Sequence, residues 1–311
     1  MTLRALLLFG LISLPAAALA QANKEAPVGT FLAPNTKPDL AFGAYQRGYY
    51  LDAMREAKKR VAENPKDGAA LALIGELYRN GLGIDRSTQE AIQWYRRAAE
   101  AGDAQGAFAL AIAYLRGEGV KADVQAARGL LQQAAQKNHA GALHELGMLD
   151  LEGELQNPAR AADYFARAAA LGNSESAYAL GLLYKAGRGV TTDKSKAAQL
   201  MKQAADLDFT AAQIEYAIML FNGDGTAKDE TGAARLFMRA AKTGNPIAAN
   251  RLARLYASGR GVERNMQEAM KWHLFARNAG LKDEWLDGQL NSLSPAERAA
   301  AEAAMKPQRP F

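Results

Sequence analysis

The chain has 311 residues, a formal charge of +5, three histidines and no cysteine. The missing cysteine excludes a disulfide framework, a thiol nucleophile and a lipid-attachment cysteine. Lys and Arg are scattered among Asp and Glu without long single-sign blocks, which points to a solvated helical surface and away from nucleic-acid binding.

Residues 1–20 read as a signal peptide. Arg4 is the positive head, Ala5 to Leu14 the apolar run, Pro15 a helix breaker, and Ala18-Leu19-Ala20 the small-residue cleavage signature. The apolar run is half the roughly 20 residues that cross a hydrocarbon core, and no later segment is continuously apolar. Cleavage between Ala20 and Gln21 is therefore expected, leaving a periplasmic or secreted protein with no integral membrane segment. Residues 21–38, with Pro27 and Pro34 and little periodicity, read as an extended leader. Residues 39–67 follow, with Tyr45, Gly48, Tyr50, Ala53 and Pro65 spaced like a tetratricopeptide helix pair that caps the front of what comes next.

From Gly68 to Leu281 a unit of 36 residues recurs six times, at 68–103, 104–139, 140–173, 174–209, 210–245 and 246–281. A fixed period in this range marks stacked helical units. In the first copy Leu71, Ile74, Leu77 and Tyr78 share one helix face. The pair Gly81/Gly83 then ends that helix, because glycine enters the left-handed region at no steric cost. Gly117/Gly119, Gly187/Gly189, Gly223/Gly225 and Gly259/Gly261 repeat the device. A second helix follows, its start marked in the six copies by Ser87, Asp123, Asn157, Asp193, Asp229 and Asn265, all able to accept first-turn amides. Its inner face in the first copy carries Ala91, Trp94, Tyr95, Ala98 and Ala99. Paired alanines at 98/99, 134/135, 168/169, 204/205 and 240/241 let neighbouring copies nest.

The third copy departs from the pattern. Asp150 stands where the others carry an apolar residue, mostly tyrosine, the second glycine is missing near Gly153, and the unit is two residues short. Burying that carboxylate alone would cost several kcal/mol, so it must be solvated or paired. A bend or partner site near His144, Asp150 and Glu152 is one reading, and tolerated drift in a repeat array is the other.

The strings ALGLLYKAGRGV (179–190), RLARLYASGRGV (251–262) and AIQWYRRAAEAGD (91–103) resemble the Sel-one-like repeat, a relative of the tetratricopeptide repeat. The resemblance implies an all-α fold, an α/α superhelical solenoid of helix-turn-helix repeats. It implies a non-enzymatic scaffold or adaptor that binds a protein or peptide, needs no cofactor, and serves envelope or signalling complexes. By the same analogy the partner meets the first helices, at Phe108, Ile112, Arg116, His144, Met148, Tyr178, Lys185, Ile214, Phe221, Asn222, Asn250 and Arg254. Phe108, Tyr178 and Phe221 lead this set, because a large aromatic side chain at a solvent-facing position needs a reason. Ile112, Leu182 and Ile218 could equally pack between repeats.

Signals for chemistry are weak. The glycine pairs join two helices and lack the strand and third glycine of a phosphate-binding loop. His144-Glu145 begins a metalloprotease-like motif, but Met148 stands where the second ligand belongs. His139 falls in an inter-repeat loop and His273 replaces the helix tyrosine of the first copy. No serine sits in a Ser-x-x-Lys or Gly-x-Ser-x-Gly context. The alternative class is an envelope glycan binder or a cell-wall enzyme such as a β-lactam-binding protein, though the β-lactam-binding relatives are cysteine-rich and this chain is not. Residues 282–311 read as C-terminal capping helices, with Ser294 and Glu297 forming a capping-box signature ahead of a helix from Pro295 to about Met305.

Overall fold

The computed structural model describes residues 39–152, 156–290 and 293–305. The expected signal peptide, the leader, the altered turn at Gly153 and the chain after Met305 lie outside the described residues. Among those described there are sixteen helices and no strand. Helices α1 (Leu40–Gln46) and α2 (Tyr50–Glu63) come first. Six pairs of 13-residue helices follow: α3 (Gly68–Asn80) with α4 (Thr88–Glu100), α5 (Ala104–Arg116) with α6 (Val124–Gln136), and α7 (Ala140–Glu152) with α8 (Pro158–Ala170). The remaining pairs are α9 (Ser174–Ala186) with α10 (Lys194–Asp206), α11 (Thr210–Asn222) with α12 (Glu230–Lys242), and α13 (Pro246–Ser258) with α14 (Met266–Asn278). The chain closes with α15 (Glu284–Leu290) and α16 (Pro295–Met305). Consecutive helices pack in pairs, which makes the fold an all-α solenoid of helix-turn-helix repeats. Two compact units divide within α6, at residues 133 and 134.

The helix limits follow from local chemistry. Ser87, Asn157, Asp193, Asp229 and Asn265 each accept the amide three residues on, at 3.2, 3.0, 2.9, 2.7 and 3.0 Å. Asp123 accepts those of Gln125 and Ala126, both at 2.9 Å. Each such cap contributes about 1 kcal/mol. At the other end of the first helices, Gly81, Gly117, Gly187, Gly223 and Gly259 take φ between 66° and 73°.

The second glycine of each pair serves packing. A β-carbon on Gly189, Gly225 or Gly261 would collide with the backbone of Pro158, Lys194 or Glu230, the first residues of α8, α10 and α12. Each turn therefore rests on the start of the preceding repeat's second helix. Within a repeat, size is traded between the two helices: a β-carbon on Gly75 would lie 2.6 Å from the Tyr95 ring, and one on Gly147 2.5 Å from the Phe165 ring. Tyr95 and Phe165 are 2% and 0% exposed, and full burial of side chains this large stabilises by about 2 to 3 kcal/mol each.

One bond closes the turn in every repeat. The amide of the second helix's cap residue reaches back to the first helix, Ser87 N to Tyr78 O at 2.9 Å, Asp193 N to Tyr184 O at 3.1 Å and Asn265 N to Tyr256 O at 3.0 Å. In the third copy the same bond runs from Asn157 N to Asp150 O at 2.7 Å. Asp150 is fully buried, and Arg160 of α8 binds both its oxygens. The carboxylate is paired, as its burial requires.

Asp283 helps to tie down the end of the stack. Asp283 is 7% exposed and accepts from Asn250 Nδ2 at 2.7 Å, Arg254 Nε at 2.6 Å and Arg254 Nη2 at 2.8 Å. Burial acts to raise its pKa, but Arg254, Asn250 and the Leu286 amide outweigh it and hold the carboxyl at about 2. Ser294 and Glu297 form the reciprocal capping box: Glu297 Oε2 accepts the Ser294 amide at 2.8 Å and Ser294 Oγ accepts the Glu297 amide at 3.3 Å.

Candidate protein-interaction surface

The first helices, α3 through α13 in odd numbers, carry the residues expected to meet a partner. Each unit is built separately. In residues 39–133, Phe108 and Ile112 lie half-buried on α5, and Arg116 is exposed in its last turn with Glu118 at 3.7 Å. In residues 134–305, Met148, Leu182, Ile218 and Phe221 are half-buried, and Lys185, Asn222 and Arg254 are exposed. Apolar side chains that are neither sealed in the core nor fully in water thus recur at the same register from α7 to α11.

Three of the expected residues are sealed in. Tyr178, Ile214 and Asn250 are 8%, 8% and 7% exposed. Phe209 covers Tyr178, with ring centroids 5.2 Å apart. Burial and the nearby Glu215 charge push the Tyr178 phenol up to about 12. Ile214 packs into a core cluster with Phe237 and Leu252. Asn250 gives its amide to Asp283. In this structure all three are packing residues.

Several polar members link neighbouring repeats. His144 Nδ1 sits 2.9 Å from Ser176 Oγ, its Nε2 is 3.7 Å from Glu175, and its ring is 5.7 Å from that of Phe165. Burial lowers the His144 pKa against the opposing pull of Glu175. Lys185 donates to Glu215 at 2.8 Å. Arg254 is shared between Asp283 and the face of Trp285, whose ring centroid is 5.2 Å away. Arg260 covers the Phe221 ring at 4.0 Å.

The other two histidines are structural. His139 Nδ1 accepts the Ala142 amide at 3.1 Å, acting as a helix cap, and His273 is fully buried with Nε2 2.8 Å from Asp287. Ser176 is also fully buried, so no hydroxyl beside His144 is open to a substrate. Among the described residues no three His, Asp or Glu side chains gather as a metal site, and no helix is long and apolar enough to cross a membrane.

A contact ladder not read from the sequence lies on the second helices. Gln133 donates to Ala99 O at 2.6 Å, Arg167 to Ala135 O at 3.3 Å and Gln203 to Ala169 O at 2.8 Å. Each reaches the second of the paired alanines one repeat back and satisfies a carbonyl at a helix end. Arg239, at the same register, binds Asp208 instead. The signal was present as a long donor at one fixed position of five successive copies, from Arg97 to Arg239.

The sequence profile of the Sel1 repeat matches residues 68–103, 104–139, 140–173, 174–209, 210–245 and 246–281. The chain belongs to the Sel1 repeat family. The fold is similar to the crystal structure of a Sel1 repeat protein from Oxalobacter formigenes, with 30% identity and a TM-score of 0.65 over 80% of this chain and 99% of that one. It is also similar to c5321, a protective antigen of uropathogenic Escherichia coli strains with the same repeat fold, at 26% identity and a TM-score of 0.52 over 86% of this chain and 66% of that one. Sel1 repeat proteins are typically non-enzymatic scaffolds for protein–protein interaction. The Sel1 register also explains why Gly189, Gly225 and Gly261 share one role: each belongs to a turn seated on the preceding repeat.

Proposed function

We propose that this Sel1 repeat chain is an exported adaptor that holds a protein or peptide segment on the surface of its first helices. The observation that carries the reading is the row of half-buried Met148, Leu182 and Ile218, one per repeat, flanked by exposed Lys185 and Asn222. Apolar anchors within a polar rim suit an amphipathic helix or an extended peptide, with affinity coming from a few desolvated contacts. Export is supported by the charged head, apolar run and small-residue site of residues 1–20 and by the absence of cysteine. Within that setting the adaptor would serve an envelope signalling or assembly complex.

The test is crosslinking of the chain from Gln21 onward to a bacterial envelope extract, followed by mass spectrometry, in parallel with sedimentation on purified peptidoglycan. Specific protein crosslinks that disappear in a Met148→Ser, Leu182→Ser, Ile218→Ser variant with an unchanged thermal melt support the proposal. Sedimentation with peptidoglycan and no protein crosslink overturns it in favour of a glycan binder.

A further inference from the structure

We infer that the cleft between α3, α4 and α5 anchors an acidic side chain of a peptide held on the first helices of residues 39–133. The inference rests on the reading that the first helices hold a peptide, and it names the chemistry of one contact. Ile92, Ile112, Tyr95, Arg79 and Arg86 are among the residues that line it. Glu118 also lines the cleft. All six residues belong to one compact unit.

The charge of the cleft is unbalanced. Glu76 is engaged by two neutral donors, Asn80 Nδ2 at 2.6 Å and the Tyr95 hydroxyl at 2.8 Å. The Arg79 charge opposes the upward shift that burial and Glu76 give the Tyr95 phenol. Glu118 faces Arg116 at 3.7 Å, and Arg86 has no acidic partner among the described residues. In the lining two arginines therefore meet one carboxylate, which Arg116 already faces, and the Arg86 fork has no acidic partner. A guanidinium presents paired donors that match a carboxylate's two oxygens, and such charge-assisted bonds are the stronger kind. No other copy carries cations at both the Arg79 and Arg86 registers, where the fourth has Lys185 and Thr192 and the fifth Phe221 and Lys228.

Size restricts the occupant. The cleft encloses about 20 Å³, room for an end group and not for a free ligand of any bulk. An aspartate or glutamate of a peptide lying along α3 and α5 meets both limits: its methylene stem lies against Ile112 and its carboxylate reaches the arginines. Half-enclosure weakens solvent screening there relative to an open surface pair.

The experiment is a selection of random twelve-residue peptides displayed on phage against the chain from Gln21 onward, followed by fluorescence anisotropy with the best peptide. The expected result is enrichment of Asp or Glu at one position. Its amide counterpart should bind at least about tenfold more weakly, and Arg86→Gln should weaken the acidic peptide similarly without further weakening the amide one. Arg86 is exposed, so this variant keeps the fold, and a thermal melt checks it; Arg79→Gln serves as the second variant. Selected peptides without an acidic position, or acidic peptides that bind Arg86→Gln and Arg79→Gln as tightly as the parent chain, overturn the inference and leave the wider peptide-binding reading standing. A selection that returns no binding peptide overturns both.

Discussion

The carboxylate of Asp150, with none of its surface exposed, is bound through both oxygens by Arg160, one helix further along the same repeat. The pair clasps the two helices of the copy that lost its second glycine. Removing one partner of a fully buried pair costs about 3 to 5 kcal/mol. Arg160 keeps 49% of its side chain in water, so it would be rehydrated when orphaned. Asp150→Ala should therefore cost about 2 kcal/mol in urea unfolding, and the Asp150→Ala/Arg160→Ala cycle should return a coupling of about 1 to 2 kcal/mol. A coupling near zero would show that the clasp contributes nothing.

The two glycines of a turn should respond differently to the same change. Gly223 has φ 73° and a near-ordinary neighbour, with Lys228 Cβ 3.4 Å from an added β-carbon. Gly223→Ala should lose only the conformational term, about 1 to 2 kcal/mol. Gly225 has a similar φ of 72°, but its β-carbon would run into the Lys194 carbonyl, a backbone group that cannot rotate away. Gly225→Ala should cost at least about 3 kcal/mol, because a steric term adds to the backbone one. Equal losses in denaturant unfolding would mean that the turn does not rest on α10.

These cases separate what a sequence shows from what it conceals. Helix limits were legible because a cap such as Asp193 acts on an amide only three residues away. The position of Tyr178 was not: it was expected to face a partner, yet it lies under Phe209, which occupies a site where other copies place the capping Asp103, Asn173 or Asn245. The shielding residue is 31 positions away, and its effect depends on how one repeat seats on the next. The partner of Asn250 was hidden in the same way, since Asp283 lies 33 residues on and outside the repeats. Periodic patterns report which face is buried, whereas contacts between copies need the stacking geometry itself.

Backbone conformation supplies a stabilising change. Where most repeats place Gly102, Gly172, Gly244 or Gly280 after the second helix, with φ from 82° to 90°, the second copy has Asn138 at φ 57° and the fourth Asp208 at φ 62°. Asparagine tolerates the left-handed region better than most residues but less well than glycine. Asn138→Gly should raise stability by about 0.5 kcal/mol, read as a shift in urea midpoint at constant slope. Asp208→Gly should show no such gain, because Asp208 also accepts from Arg239 and from Gln213 Nε2 at 3.3 Å.

Acid should weaken the chain in two ranges, the upper traceable to His144 and the lower shared by Asp283 with the other carboxyls held below their ordinary values, Asp39, Asp67, Glu230 and Glu297. His144 has its pKa lowered by burial, so the folded state favours the neutral ring. Its contribution is complete above the unfolded value of about 6.5 and is lost as pH falls through the lower folded value. Asp283, held at about 2 against an ordinary 3.8, contributes above pH 4 and loses that contribution as pH falls towards 2. The size of that shift corresponds to about 2 kcal/mol. Melting temperature followed from pH 8 to 2 should show both declines. His144→Asn should remove the upper one alone. Asp283→Asn should make the lower one shallower and reduce stability at neutral pH, because Arg254 and Asn250 lose the carboxylate that fixes α15 to α13. A single decline abolished by neither variant would mean that acid acts through the general rise in positive charge, and that neither contact is a distinct source of stability.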